Sequence, residues 1–165
     1  MDRRFCLAAA LVLAATTAFA QTAKPPSIQG AWRVAEVVTT GANAVNNAKP
    51  FPGFYIFTSR HYSIVMITST TPRPAFTIKD AAKPTDAEKI AAYAQWDPLT
   101  ANSGTYEIKG NTVITRPIVA KNETVMAGPV ATREFKLEGN TLWLTTRSAA
   151  GQPVSETRTR LTRVE

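Results

Sequence analysis

The sequence predicts an all-β domain: a sandwich or barrel of eight antiparallel strands connected in order, with one short α-helix inserted between the third and fourth. Three observations carry this expectation. Eight short runs rich in β-branched and aromatic residues recur with turn signals between them. Two of the turns share one frame, Ile108-Lys109-Gly110-Asn111-Thr112-Val113 and Leu137-Glu138-Gly139-Asn140-Thr141-Leu142. One stretch, residues 84–96, departs from the period of two and takes up helical spacing.

Taken in order along the chain, residues 1–20 read as a signal peptide. Arg3 and Arg4 precede an apolar run from Phe5 to Ala15, and Ala18-Phe19-Ala20 carries the small-x-small ending that signal peptidases accept. Residues 21–27 follow as an extended lead containing Pro25 and Pro26, and residues 28–165 form the domain. The expectation is an exported chain, periplasmic or secreted. Cys6 is the only cysteine and falls inside the leader, so the exported form would hold no disulfide, thiol nucleophile or thiolate metal ligand.

Composition fits one compact domain, with 44% hydrophobic and 19% charged residues; the leader's apolar core is too short to span a bilayer and no later stretch approaches the length of a membrane-spanning helix. The formal charge of +7 becomes +6 without the leader, because Arg3 and Arg4 outweigh Asp2 by one. The basic residues are scattered through many segments, and with export this argues against a nucleic-acid partner.

The expected strands cover residues 28–39, 54–58, 61–69, 104–109, 112–119, 130–138, 141–147 and 154–163. Their sequence makes an up-and-down meander the simplest topology. Gly-Asn at a hairpin centre tolerates the positive φ of a two-residue primed turn, and such a turn fixes register. Around Gly110-Asn111, Ile108 faces Val113 and Tyr106 faces Thr115, on the inward side. Around Gly139-Asn140, Leu137 faces Leu142, Phe135 faces Leu144 and Arg133 faces Thr146, which makes Arg133 an inward charge on an apolar face. With Ser59-Arg60 as a third turn, Phe57 faces Tyr62 and Tyr55 faces Ile64, an inward aromatic face. On the first strand the same alternation carries Glu36 inward if Trp32 and Val34 are inward.

In the helix, Thr85 is the N-cap and Glu88 completes a capping box, while Ala87, Ile90, Ala91 and Ala94 form an apolar face suited to lie on a sheet as a lid or flank. Pro98 disfavours helical backbone at Asp97 and ends it. The long connections 40–52 and 70–83 are expected to form the mouth of a barrel.

Gly30-Ala31-Trp32, at the opening of the first strand, resembles the Gly-x-Trp of lipocalins. The Phe54 to Tyr62 hairpin, the Ala-rich helix with Tyr93, Ser103-Gly104-Thr105-Tyr106-Glu107, and the Arg133-Glu134-Phe135 to Trp143-Leu144 hairpin are similar, in order, to the bacterial lipocalin-like domain family. The resemblance runs from about Ile28 to Val164. It implies an eight-stranded antiparallel barrel with a helix against it and an internal cavity. It also implies an arginine of the last strand packed over Trp32; Arg158, Arg160 and Arg163 are the candidates, and Arg160 is taken with Trp32 and Glu36 as a structural set.

In this register Tyr55, Phe57, Tyr62, Tyr106, Arg133 and Phe135 are the candidate ligand-binding residues. His61 is the only histidine, and neither a Gly-x-Ser-x-Gly elbow nor a phosphate-binding glycine loop is present, so no catalytic residue, metal or cofactor is expected. Asn122-Glu123-Thr124 is a glycosylation sequon and marks a surface loop. An eight-stranded barrel is either filled by its own side chains or holds a small ligand. The first functional reading is a barrel that binds a small, partly hydrophobic or amphiphilic molecule, with Arg133 available for an anionic group. The alternatives are a cofactor-independent enzyme using Arg133, Glu36 and Tyr106, and a packed barrel that docks a protein through the face around Trp143. Arg133 and Glu36 are themselves open to two readings, an internal ion pair or a ligand site.

Overall fold

The computed structural model describes residues 27–42, 44–73 and 75–165; the signal-peptide expectation and most of the lead lie outside them. The strands are β1 (Gly30–Gly41), β2 (Val45–Asn47), β3 (Gly53–Phe57), β4 (His61–Ile67), β5 (Leu99–Lys109), β6 (Thr112–Ala120), β7 (Ala131–Glu138), β8 (Thr141–Arg147) and β9 (Ser155–Arg163). Two helices, α1 (Asp86–Trp96) and α2 (Glu123–Ala127), lie between β4 and β5 and between β6 and β7. Every strand pairing is antiparallel, β3 to β9 follow one another in order, and β1 joins β3 on one edge and β9 on the other. The result is a closed eight-stranded up-and-down barrel.

The extra strand corrects the expectation in two ways. Part of the 40–52 connection forms β2, which pairs with Val37 to Thr39 of β1 on the edge that β3 occupies from Gly30 to Arg33. With β2 counted, the helix follows β4 instead of the third strand. The short α2 was not expected; Asn122 of the sequon is its N-cap, its side chain accepting from the Thr124 backbone N–H at 3.0 Å.

The tight turns gather at one end and set the register there. Gly110 and Gly139 have φ of 59° and 57°, the left-handed backbone that glycine adopts without strain. Ile108 pairs with Val113, Leu137 with Leu142, Phe135 with Leu144, and Phe57 with Tyr62, as the turns dictate. Arg133 departs from this. β7 pairs with β8 only from Glu134↔Thr145 toward the turn, so Arg133 has Val113 of β6 as its partner and the expected pairing with Thr146 is absent.

Side chains fill the turn end. Ile28, Trp32, Val113, Leu142 and Leu161 are fully buried there, and each such aliphatic side chain contributes roughly 1.5–3 kcal/mol. Trp32 donates its indole N–H to the Ile28 carbonyl at 2.8 Å. The guanidinium over its ring, 4.1 Å from the centroid, belongs to Arg163, which also donates to the Gln29 and Ser27 carbonyls at 2.6 and 3.1 Å. One side chain thus combines a cation–π contact with closure of the chain ends. This corrects the choice of Arg160: Leu161 and Arg163 share a parity, while Arg160 lies on the outer wall.

Glu36 is the second correction of parity. The β1–β9 register shifts between Val34 and Glu36, a bulge at Ala35. One additional residue exchanges the two faces of the strand, so Val37 takes the inward place and Glu36 turns out. There Glu36 accepts from Arg160 Nε at 2.9 Å in a partly exposed pair, beside Arg158 stacked 5.2 Å from the Trp143 ring centroid. A further bulge places two residues of β6 against one of β5, with Ser103 opposite Val119 and Gly104 opposite Pro117. A Cβ on Gly104 would meet the Arg116 carbonyl oxygen, so only glycine fits.

The long connections surround the other end. α1 has its capping box, Thr85 and Glu88, but not the sheet contact expected of its apolar face: none of its residues is buried and Ile90 is 70% exposed. It is tethered by its C-terminal carbonyls, where Arg73 donates to Gln95 at 3.0 Å and Lys121 to Asp97 at 2.8 Å. Cations at that terminus also suit the helix dipole.

Candidate functional site

The half of the barrel nearer the long connections is hollow. A cavity of about 330 Å³ opens there, and Tyr55 and Arg133 lie on its wall with Val37, Ile64, Met66 and Leu144. β7 carries Arg133 inward by the alternation that buries Phe135 and Leu137 further down. Its Nη1 donates to Thr115 Oγ1 at 3.2 Å. None of the seven ion pairs among the described residues includes Arg133.

Tyr55 is buried and its hydroxyl reaches Met66 Sδ at 3.7 Å. Burial pushes its phenol above the usual value, and the positive field of Arg133 opposes that push. Burial raises Tyr62 in the same way, with Thr115 and then Arg133 acting against it. The Tyr62 hydroxyl is buried and makes no hydrogen bond of ordinary geometry among the described residues, although Thr115 lies beside it.

The six candidate ligand-binding residues therefore separate. Tyr55 and Arg133 face the cavity. Phe57, Tyr62, Tyr106 and Phe135 belong to the packed half below it. Tyr106 meets Phe57 edge-on at 5.2 Å and donates its hydroxyl to the Thr58 carbonyl at 2.7 Å, so its polar end is held at the β3–β4 turn. His61 is exposed at that turn, remote from the cavity wall. Glu36 and Arg133 do not meet, and the Arg133, Glu36 and Tyr106 set is not assembled.

Sequence reasoning put Thr146 on the inward face without naming it as a ligand contact, and missed the hydroxyl and amide groups of Thr100, Asn102 and Thr159 on the wall. Thr159 shares the inward parity of Leu161, a signal that was there to use. Thr100 and Asn102 lie on the first part of β5, ahead of the expected strand at 104–109.

A sequence model described as a lipocalin-like domain matches residues 29–163, nearly the whole barrel. The chain belongs to the lipocalin-like domain family. No curated protein matches it. This lipocalin-like barrel has, among its described residues, no helix long and apolar enough to cross a membrane, and no group of three or more His, Cys, Asp or Glu side chains placed to hold a metal ion. In general terms the family fold is suited to ligand binding.

Proposed function

We propose that the protein is exported and binds a small, partly hydrophobic molecule in the barrel, with an anionic group of that molecule facing Arg133. The observation that carries this reading is the half-buried guanidinium on the cavity wall, whose only side-chain partner among the described residues is the neutral Thr115 hydroxyl. A charge taken partly out of water gains from an opposite charge, and a carboxylate or similar anion can accept a forked pair of N–H bonds from it. The volume, about 330 Å³, lies at the lower end of the roughly 300–1,000 Å³ usual for ligand sites. The placement of Glu36 on the outer wall removes the internal carboxylate on which the enzymatic alternative relied. The cavity likewise weighs against a fully packed barrel that works only through its surface.

Export rests on the character of residues 1–20 and is tested by fractionation, which should recover a chain cut after Ala20 outside the cytoplasm. Binding is tested on that chain by native mass spectrometry before and after organic extraction. A discrete added mass that disappears on extraction supports the reading. A bare polypeptide mass, together with no response to small anions in solution, overturns it.

A further inference from the structure

The cavity has more hydrogen-bonding capacity than Tyr55 and Arg133 provide. Thr68 and Thr157 also reach it, but their hydroxyls are engaged, Thr68 with the Pro98 carbonyl and Thr157 with Thr39, both at 2.9 Å. Thr100, Asn102, Thr146 and Thr159 are different: none of their side chains makes a hydrogen bond among the described residues. Thr100 and Asn102 come from β5, Thr146 from β8 and Thr159 from β9, while Arg133 comes from β7. They surround one space from several sides. Thr159 is only 8% exposed, yet its hydroxyl is not enclosed by protein, so its free capacity belongs to the cavity.

Such groups decide selectivity. In the free protein they are met by water. A purely apolar ligand displaces that water and offers nothing in return, so every unmatched hydroxyl or amide counts against it. A ligand with oxygens of its own replaces the lost bonds. Among the described residues the wall has one cation and no carboxylate, which fits one negative charge. Val37, Ile64, Met66 and Leu144 supply the C–H contacts that a small carbon skeleton needs.

Resting on the reading of this cavity as the ligand site, we infer that its ligand is a small organic monoanion bearing several hydroxyl or carbonyl oxygens, of the hydroxy-acid or sugar-acid class, and not a long-chain fatty acid. Arg133 receives the anionic group, and Thr100, Asn102, Thr146 and Thr159 read the oxygens of the body.

Four probes of one carbon number separate the terms: gluconate, sorbitol, hexanoate and 1-hexanol, titrated while the Met66 methyl resonance is followed by NMR. Gluconate is expected to bind about tenfold or more tightly than each of the others, since one well-made hydrogen bond to a charged or buried group is worth roughly that factor. The isosteric Thr159→Val, and Asn102→Leu, should each weaken gluconate by about that factor while leaving hexanoate unchanged or tighter. Folding of both variants is verified from their urea midpoints, and the selective loss of the preference for gluconate over hexanoate is a readout that mere destabilisation does not produce. Arg133→Gln should equalise gluconate and sorbitol. Hexanoate binding as tightly as gluconate overturns the hydroxylated class and leaves the cavity as a ligand site. Sorbitol matching gluconate in the unaltered protein overturns the role of charge. No saturable shift of Met66 with any of the four overturns the inference and the underlying reading together.

Discussion

Arg133 Nη1 donates to Thr115 Oγ1 at 3.2 Å, a contact between a cation of β7 and a buried hydroxyl of the neighbouring β6. It orients the guanidinium without neutralising it. Partial dehydration of an uncompensated charge opposes folding, and sites held ready for a ligand commonly sacrifice stability in this way. Arg133→Met should therefore raise stability, by about 1 kcal/mol, while abolishing affinity for anionic probes. Urea denaturation and titration check the two halves. Loss of stability with binding retained would mark Arg133 as a structural cation.

Glu36→Gln tests the bulge at Ala35. Because the Glu36–Arg160 pair is partly exposed on the outer wall, its removal should cost no more than about 1 kcal/mol and leave ligand affinity unchanged. A large effect on affinity would mean that Glu36 faces the interior.

Alkaline pH should weaken the fold. Burial raises the phenols of Tyr55, Tyr62 and Tyr106 above the ordinary tyrosine value of 10.0. The unfolded chain then loses these protons at lower pH than the folded one. Their contribution is complete below that unfolded value and declines as pH rises from it through the folded pKa values. Denaturation midpoints should fall above about pH 10, and the fall should be smaller in Tyr55→Phe.

The turn at Gly139 offers a test of register. A Cβ there meets no atom within 4 Å, so the cost of Gly139→Ala comes from φ of 57° alone. The expected loss is about 1 kcal/mol, measured by thermal or urea denaturation, with unchanged ligand affinity because the turn lies at the filled end. The same substitution at Gly110 should behave alike.

These tests also divide what could be read in advance from what could not. Gly110-Asn111 and Gly139-Asn140 announce their turns chemically, and strand alternation then gives the inward side of Val113, Arg133, Phe135 and Leu144 without any structure. The bulge at Ala35 has no such mark. No glycine or proline stands there, and the shift arises from how β1 meets β9, so Glu36 was placed on the wrong face. Arg163 was recoverable from its parity with Leu161, which Arg158 and Arg160 do not share. β2 and α2 are short and depend on their neighbours for support, which is why local sequence gave little sign of either. The free polar groups on the cavity wall were hidden for a different reason: threonine is an ordinary strand residue, and whether its hydroxyl is engaged depends on contacts far along the chain.

The separation of a filled end from a hollow one has a consequence for substitution. Ile28, Trp32, Leu142, Leu161 and the two glycine turns hold the barrel together at one end, while Thr100, Asn102 and Thr146 stand at the other without taking part in the main packing cluster. If the proposed ligand site holds, substitutions at the second set should alter which molecule is preferred while making little demand on folding. A chain built this way can change what its cavity accepts without rebuilding the packing that closes the barrel.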